Sequence, residues 1–111
     1  MNFNCKGSEQ MISPNLAHPL SSKELNIMLQ DVESNKTKLI EHSLRYVVWV
    51  ASKYEKYEDI EDLIQIGCIG LIIALHNMEG IGFEQYYYHV KEYVRCEIER
   101  YIENKERQKT K

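Results

Sequence analysis

The chain has 111 residues, 43% of them hydrophobic and 28% charged, which suits one small globular domain. Its net charge of -3 argues against a protein that grips nucleic acid by bulk positive charge alone. Cys5, Cys68 and Cys96 have no C-x-x-C spacing and His18, His42, His76 and His89 are scattered, which argues against a disulfide framework or a zinc site and for a reducing cytoplasm.

The first ten residues, MNFNCKGSEQ, lack the basic and apolar segments of a signal peptide. Residues 1–19, with Gly7, Pro14 and Pro19, show no sustained period and are expected to form a flexible N-terminal arm. Ser21 and Glu24 form the S-x-x-E of a capping box ahead of Leu25, Met28 and Leu29, predicting a first helix that ends near Glu33. A second helix is predicted from about Asn35 to Lys56. Its apolar stripe is Leu39, Ile40, Leu44, Val47, Val48 and Ala51.

The third helix follows Asp59, a plausible N-cap, and carries Asp62 in its first turn where the helix dipole favours an acid. Its uncharged run, Leu63 to Met78, is shorter than the roughly 20 apolar residues of a membrane span. At 100° per residue, Leu63, Ile64, Gly67, Gly70, Leu71, Ala74, Leu75 and Met78 fall on one side, the expected core face. Glycine costs a helix about 1 kcal/mol relative to alanine; on the core face Gly67 and Gly70 let a neighbouring backbone come close. The opposite side holds Asp62, Gln65, Ile66, Ile69, Ile72, Ile73 and His76. Either this side is a contact surface for a partner, or another helix of the chain covers it.

Glu79-Gly80-Ile81-Gly82 breaks the pattern, and a fourth helix is predicted from about Phe83 to Glu103, fraying into a basic tail over residues 104–111. No strand-like alternation appears. The expected fold is therefore all-α, a compact bundle of about four helices occupying residues 20–103.

The segments LIEHSLRYVVWVASKY, EDIEDLIQIGCIGLIIAL and YYYHVKEYVRCEIERYI together resemble region two of bacterial RNA polymerase sigma factors, with the likeness strongest to sporulation-type members. The resemblance covers about residues 19 to 102. It implies that the third helix docks on the clamp helices, a coiled coil of the largest subunit of RNA polymerase core. Asp62, Gln65, Ile66, Cys68 and Ile72 match contact positions, and Ile69 and Arg45 complete the expected polymerase-binding set. Ile66 stands where the family has glutamate, Cys68 where it has asparagine, and Ile72 where it has methionine or another long side chain.

The resemblance further implies that the fourth helix helps melt promoter DNA by capturing bases of the non-template strand on aromatic rings. Tyr86, His89, Lys91, Tyr93 and Arg95 are the expected DNA-binding residues. Such a site needs flat π-faces beside cations, since stacking is worth about 1–3 kcal/mol per base. Tyrosines at helical spacing are equally what a core helix carries, so a packing role stays open beside the DNA role. The family's paired tryptophans are replaced by Glu92 and Tyr93, and Cys96 and Glu99 occupy promoter-reading positions. Glu92, Glu97, Glu99 and Glu103 leave the helix about neutral. Trp49 replaces a small or polar family residue, and either touches a partner or packs on the N-terminal arm.

A complete sigma factor also carries a helix-turn-helix domain, and the sequence to Lys111 offers none. The first expectation is the core-binding half of a split sigma factor, working with a separate helix-turn-helix co-sigma subunit. The alternative is a regulator or decoy that occupies the sigma site on the polymerase, or binds another sigma or anti-sigma factor, without opening DNA. No nucleophile–base pair, phosphate loop or metal spacing points to an enzyme or a cofactor.

Overall fold

Ser21 begins the helical part of the chain as predicted. Its hydroxyl accepts from the Glu24 N–H at 3.2 Å while the Glu24 carboxylate accepts from the Ser21 N–H at 3.1 Å, closing a capping box. The structure, a computed structural model, describes residues 16, 18 and 20–109. Among these residues there are four helices and no strand: α1 Ser22–Leu29, α2 Val32–Ser52, α3 Ile60–His76 and α4 Tyr86–Lys109. The all-α architecture is thus as the sequence predicts; several helix boundaries differ.

The first helix ends at Leu29, short of Glu33, because Asp31 starts the next one. The Ser34 N–H donates to Asp31 Oδ1 at 3.2 Å, and Asn35 Nδ2 donates to the carbonyls of Met28 and Asp31 at 3.2 and 2.9 Å. Side chains of this type satisfy helix-end groups and so fix a break that apolar spacing does not reveal. The second helix stops at Ser52 rather than Lys56. The Ser52 hydroxyl donates to the Trp49 carbonyl at 2.7 Å, competing with the helical ladder, and the following turn turns Tyr54 towards α4. Asp59 stands at the N-cap of α3 in extended conformation, but its side chain makes no capping bond.

The fourth helix starts three residues later than predicted, since residues 83–85 form a turn and the Gly82 N–H donates to Gln85 Oε1 at 3.0 Å. It then runs on to Lys109, well past Glu103. Lys105 pairs with Glu58 at 2.8 Å, tying this added length to the turn before α3. Gly80 supplies the positive φ, 79°, that the α3–α4 connection needs. Most of the N-terminal arm lies outside the described residues.

The core is built where α2, α3 and α4 meet. Leu39, Val47, Ala51, Leu63, Leu71, Ala74, Val90, Val94 and Ile98 are wholly buried, and Leu25 of α1 joins them. The predicted core face of α3 is therefore correct, with Ile64 and Met78 at its half-buried edge. Both α3 glycines are sites of close approach. A Cβ on Gly70 would lie 2.7 Å from the Tyr93 carbonyl oxygen and 2.8 Å from Val94 Cα. One on Gly67 would meet Val47 Cγ1 at 2.8 Å.

Candidate docking ridge and DNA-facing helix

Burying one side of α3 carries its other side outward. Asp62, Gln65, Ile69, Ile72 and His76 are all exposed, Ile69 at 47% and Ile72 at 40%. Among the described residues no other helix covers them. The steps of three, four, three and four residues align these side chains in one ridge, the spacing with which a helix seats against another helix. Ile66, Cys68 and Ile73 flank the ridge half-buried. Burial holds the Cys68 thiol above its usual range, so it acts as a small apolar group here. The ridge has a polarity: Glu61 and Asp62 occupy its first turn, while His76 Nε2 at the far end lies 2.7 Å from Lys36 Nζ.

Arg45 does not join this ridge. Ser43 and Val47 face the core, so Arg45, midway between them, projects from the outer side of α2. There Nη2 donates to the Leu16 carbonyl at 3.2 Å, and His42 Nδ1 lies 2.6 Å from the His18 carbonyl. Both contacts hold the segment leading into α1. The α3 members of the expected polymerase-binding set thus lie together, with Arg45 apart from them on α2.

The five expected DNA-binding residues of α4 are separated. Tyr86, Val90, Val94 and Ile98 step by four and are wholly buried, so Tyr86 packs in the core and presents no ring to solvent. Its hydroxyl is 2.9 Å from Ser43 Oγ, and burial pushes the phenol up to about 12. The physical reason is register: the helix must present one stripe to α2 and α3, and Tyr86 begins that stripe. Tyr87 is structural too. Its ring stacks on Tyr46 with centroids 4.2 Å apart and its oxygen accepts from the Leu20 N–H at 3.1 Å.

His89 and Tyr93 sit half-buried on the α3 flank of α4, their rings 4.8 Å apart. His89 Nε2 lies 2.9 Å from the Ala74 carbonyl near the end of α3, which also accepts from the Asn77 N–H at 3.1 Å. Next to them Ile73, Tyr93, Cys96, Glu97 and Arg100 line a shallow groove between the two helices. Lys91 and Arg95 lie on the other flank, beside Trp49, Lys53 and Tyr54 of α2 and its turn. Tyr88, outside the expected DNA-binding set, is the exposed tyrosine of this helix at 66%. The signal was available: two residues past Tyr86 is about 200° round the helix, away from the core.

Arg95 is held between two acids. Nη2 meets Glu92 Oε1 at 2.7 Å and Nη1 meets Glu99 Oε1 at 2.9 Å, while the Tyr54 hydroxyl donates to Glu99 Oε2 at 2.5 Å. The Arg95 hydrogen bond holds the Glu92 carboxyl below the usual range. Burial, reinforced by Glu99, raises the Tyr54 phenol to about 12. All these side chains are partly exposed, so each ion pair is worth about 0.2–1 kcal/mol. What the network sets is charge: a phosphate reaching Arg95 must compete with two carboxylates. Trp49 packs beneath two cations. Lys53 Nζ stands 3.8 Å and Lys91 Nζ 5.6 Å from its ring centroid. Burial, followed by Lys53, lowers the Lys91 amine.

Among the described residues no three His, Cys, Asp or Glu side chains converge as metal ligands, and no helix is long and apolar enough to cross a membrane. Residues 39–102 match the family described as Sigma-70 region 2. The chain is 49% identical over 64 residues to the RNA polymerase sigma-K factor of Bacillus subtilis (strain 168), a match covering 53% of this chain and 22% of that protein. It is 47% identical over 64 residues to the RNA polymerase sigma-28 factor of Bacillus thuringiensis subsp. kurstaki, covering 53% of this chain and 27% of that protein. With the RNA polymerase sigma-E factor of Clostridium acetobutylicum the identity is 35% over 74 residues, 66% of this chain and 32% of that protein. The chain thus spans under a third of the length of these relatives. No solved structure matches it.

Proposed function

The chain belongs to the Sigma-70 region 2 family, and from that premise we propose that it acts in transcription initiation by docking on the RNA polymerase core. The observation that carries this reading is the α3 ridge. Asp62, Gln65, Ile69, Ile72 and His76 offer a helix-seating stripe, polar at its ends and apolar at its centre, and the clamp helices of the largest subunit are a coiled coil of matching form. Ile66, where the family has glutamate, makes the contact more apolar than the family pattern. Affinity then rests on buried area, at roughly 25 cal/mol per Å², more than on charge.

Promoter DNA would meet α4 along Tyr88, Lys91 and Arg95, with His89 and Tyr93 at the α3 edge. The Glu92–Arg95–Glu99 network leaves this face poorly suited to choosing a promoter by itself. A separate helix-turn-helix subunit is therefore the partner proposed to read the upstream element. The same network favours a second reading, in which the chain occupies the sigma site, or binds another sigma or anti-sigma factor, without opening DNA.

The deciding experiment is gel filtration of the chain with purified core polymerase, then in vitro transcription with and without candidate helix-turn-helix subunits. Co-elution that is lost in the Asp62→Ala/Gln65→Ala variant, with helicity intact, is the expected result. Absence of binding with and without those subunits overturns the docking reading. New transcripts support initiation, whereas repression without new transcripts supports the decoy.

A further inference from the structure

The ridge on α3 has a property that a polymerase partner does not require: it is complementary to itself. We infer that a second copy of this chain covers the ridge, α3 against α3, in an antiparallel dimer centred on Ile69. The argument is positional. Asp62 and His76 lie seven residues either side of Ile69, so a two-fold axis through Ile69 sets Asp62 of one copy opposite His76 of the other. The same operation sets Ile66 opposite Ile72 and Gln65 opposite Ile73.

Charge supports this register. Glu61 and Asp62 make the first turn acidic, and Lys36 lies 2.7 Å from His76 at the other end, so each end of the ridge meets its opposite in the partner copy. A parallel pairing would set acid against acid. Helix dipoles also favour the antiparallel arrangement. The apolar centre is exposed in the single chain, Ile69 at 47% and Ile72 at 40%, and would be removed from water on both copies at once. Such an interface is isologous and closes on itself, so it yields a dimer and not a filament.

One helix face against another buries less than the roughly 1,200–2,000 Å² of standard interfaces. A dissociation constant of ~10–100 µM follows as the expected range. The dimer stands independently of the polymerase reading. If that reading also holds, self-pairing and docking compete for one surface, and the free chain is partly masked.

Sedimentation of the full chain alone, from ~5 to ~500 µM, tests the inference without polymerase. The expected mass rises from 13.2 kDa towards twice that value with concentration. Ile69→Glu should raise the dissociation constant at least ~30-fold, because the axis brings two carboxylates together in an apolar centre. Asp62→Lys should raise it ~5-fold or more, and adding Lys36→Glu to Asp62→Lys should restore it, a reversal that misfolding would not produce. A monomer at every concentration overturns the inference. So does a dimer that keeps its affinity in both Ile69→Glu and Asp62→Lys, since it would be using another face.

Discussion

Replacing Gly70 by alanine puts a carbon where α4 already is. The new Cβ would lie 2.7 Å from the Tyr93 carbonyl oxygen, 2.8 Å from Val94 Cα and 3.0 Å from the Tyr93 carbonyl carbon. Ordinary contact begins at 3.4 Å, so the helices must separate by about 0.7 Å (3.4 − 2.7) at their closest point. All three atoms are main chain, and no rotamer change relieves the clash. Parting α3 from α4 loosens Leu71, Ala74, Val90 and Val94 together, which sets the cost at the upper end of the ~1–3 kcal/mol typical of overpacking. Alanine returns about 1 kcal/mol in helix propensity, leaving a net loss of ~2 kcal/mol. For a domain of this size that lowers the melting temperature by about 8–16 °C.

Urea unfolding followed by helical circular dichroism measures the loss, with an unchanged m-value showing that the unfolded state is not the cause. Gly67→Ala is the internal control. Its Cβ meets side-chain methyls, Val47 Cγ1 at 2.8 Å and Val94 Cγ1 at 3.2 Å, and no main-chain atom that close, although these buried β-branched side chains have little rotamer freedom. Its net loss is expected to be smaller than that of Gly70→Ala, because side chains yield before main chain does. A Gly70→Ala protein as stable as wild type, or a Gly67→Ala protein more damaged than it, would refute the reasoning.

Ser43→Ala and Tyr86→Phe each strand a buried hydroxyl and should each cost about 1–3 kcal/mol, whereas the double variant should cost little more than either single one; a thermodynamic cycle in urea reads the coupling. The Tyr86 phenol is raised to about 12 in the folded chain, against an ordinary value near 10, so the stability it contributes is full below about pH 10 and lost as pH rises through about 12. Alkaline melts should show this loss, on the order of 2–3 kcal/mol, and Tyr86→Phe should diminish it. Glu92→Gln/Glu99→Gln should free Arg95, raising affinity for single-stranded DNA ~3- to 10-fold at low salt and steepening the salt dependence; fluorescence anisotropy across a salt series checks both. Equal affinities in the two proteins would show that the carboxylates do not govern that face.

Capping residues, the Glu79–Gly82 break and apolar periodicity together marked four helices, and periodicity marked the core face of α3, because a 3.6-residue repeat of apolar side chains has one helical solution. It also placed Gly67 and Gly70 at close contacts and Asp62, Gln65, Ile69 and Ile72 on the far side. Several features stayed hidden because they depend on groups distant in sequence or on side-chain competition for the backbone. Asp31 divides α1 from α2 through hydrogen bonds that look like ordinary polar residues in a helical run. Whether another helix covered the outward face of α3 depended on where α4 lay, and among the described residues α4 lies on the glycine side.

The tyrosine run shows the division most plainly. Sequence determined that Tyr86, Tyr87 and Tyr88 share one helical turn and therefore point in different directions. Which of them met the core, stacked on Tyr46 or stood in solvent followed from how α4 is rolled against α2 and α3, and that roll is set by the backbone approach at Gly70. Likewise the sequence supplied Arg95 and its neighbouring acids at helical spacing. Only the turn after α2, by bringing the Tyr54 hydroxyl to Glu99, joined them into one network across two parts of the chain.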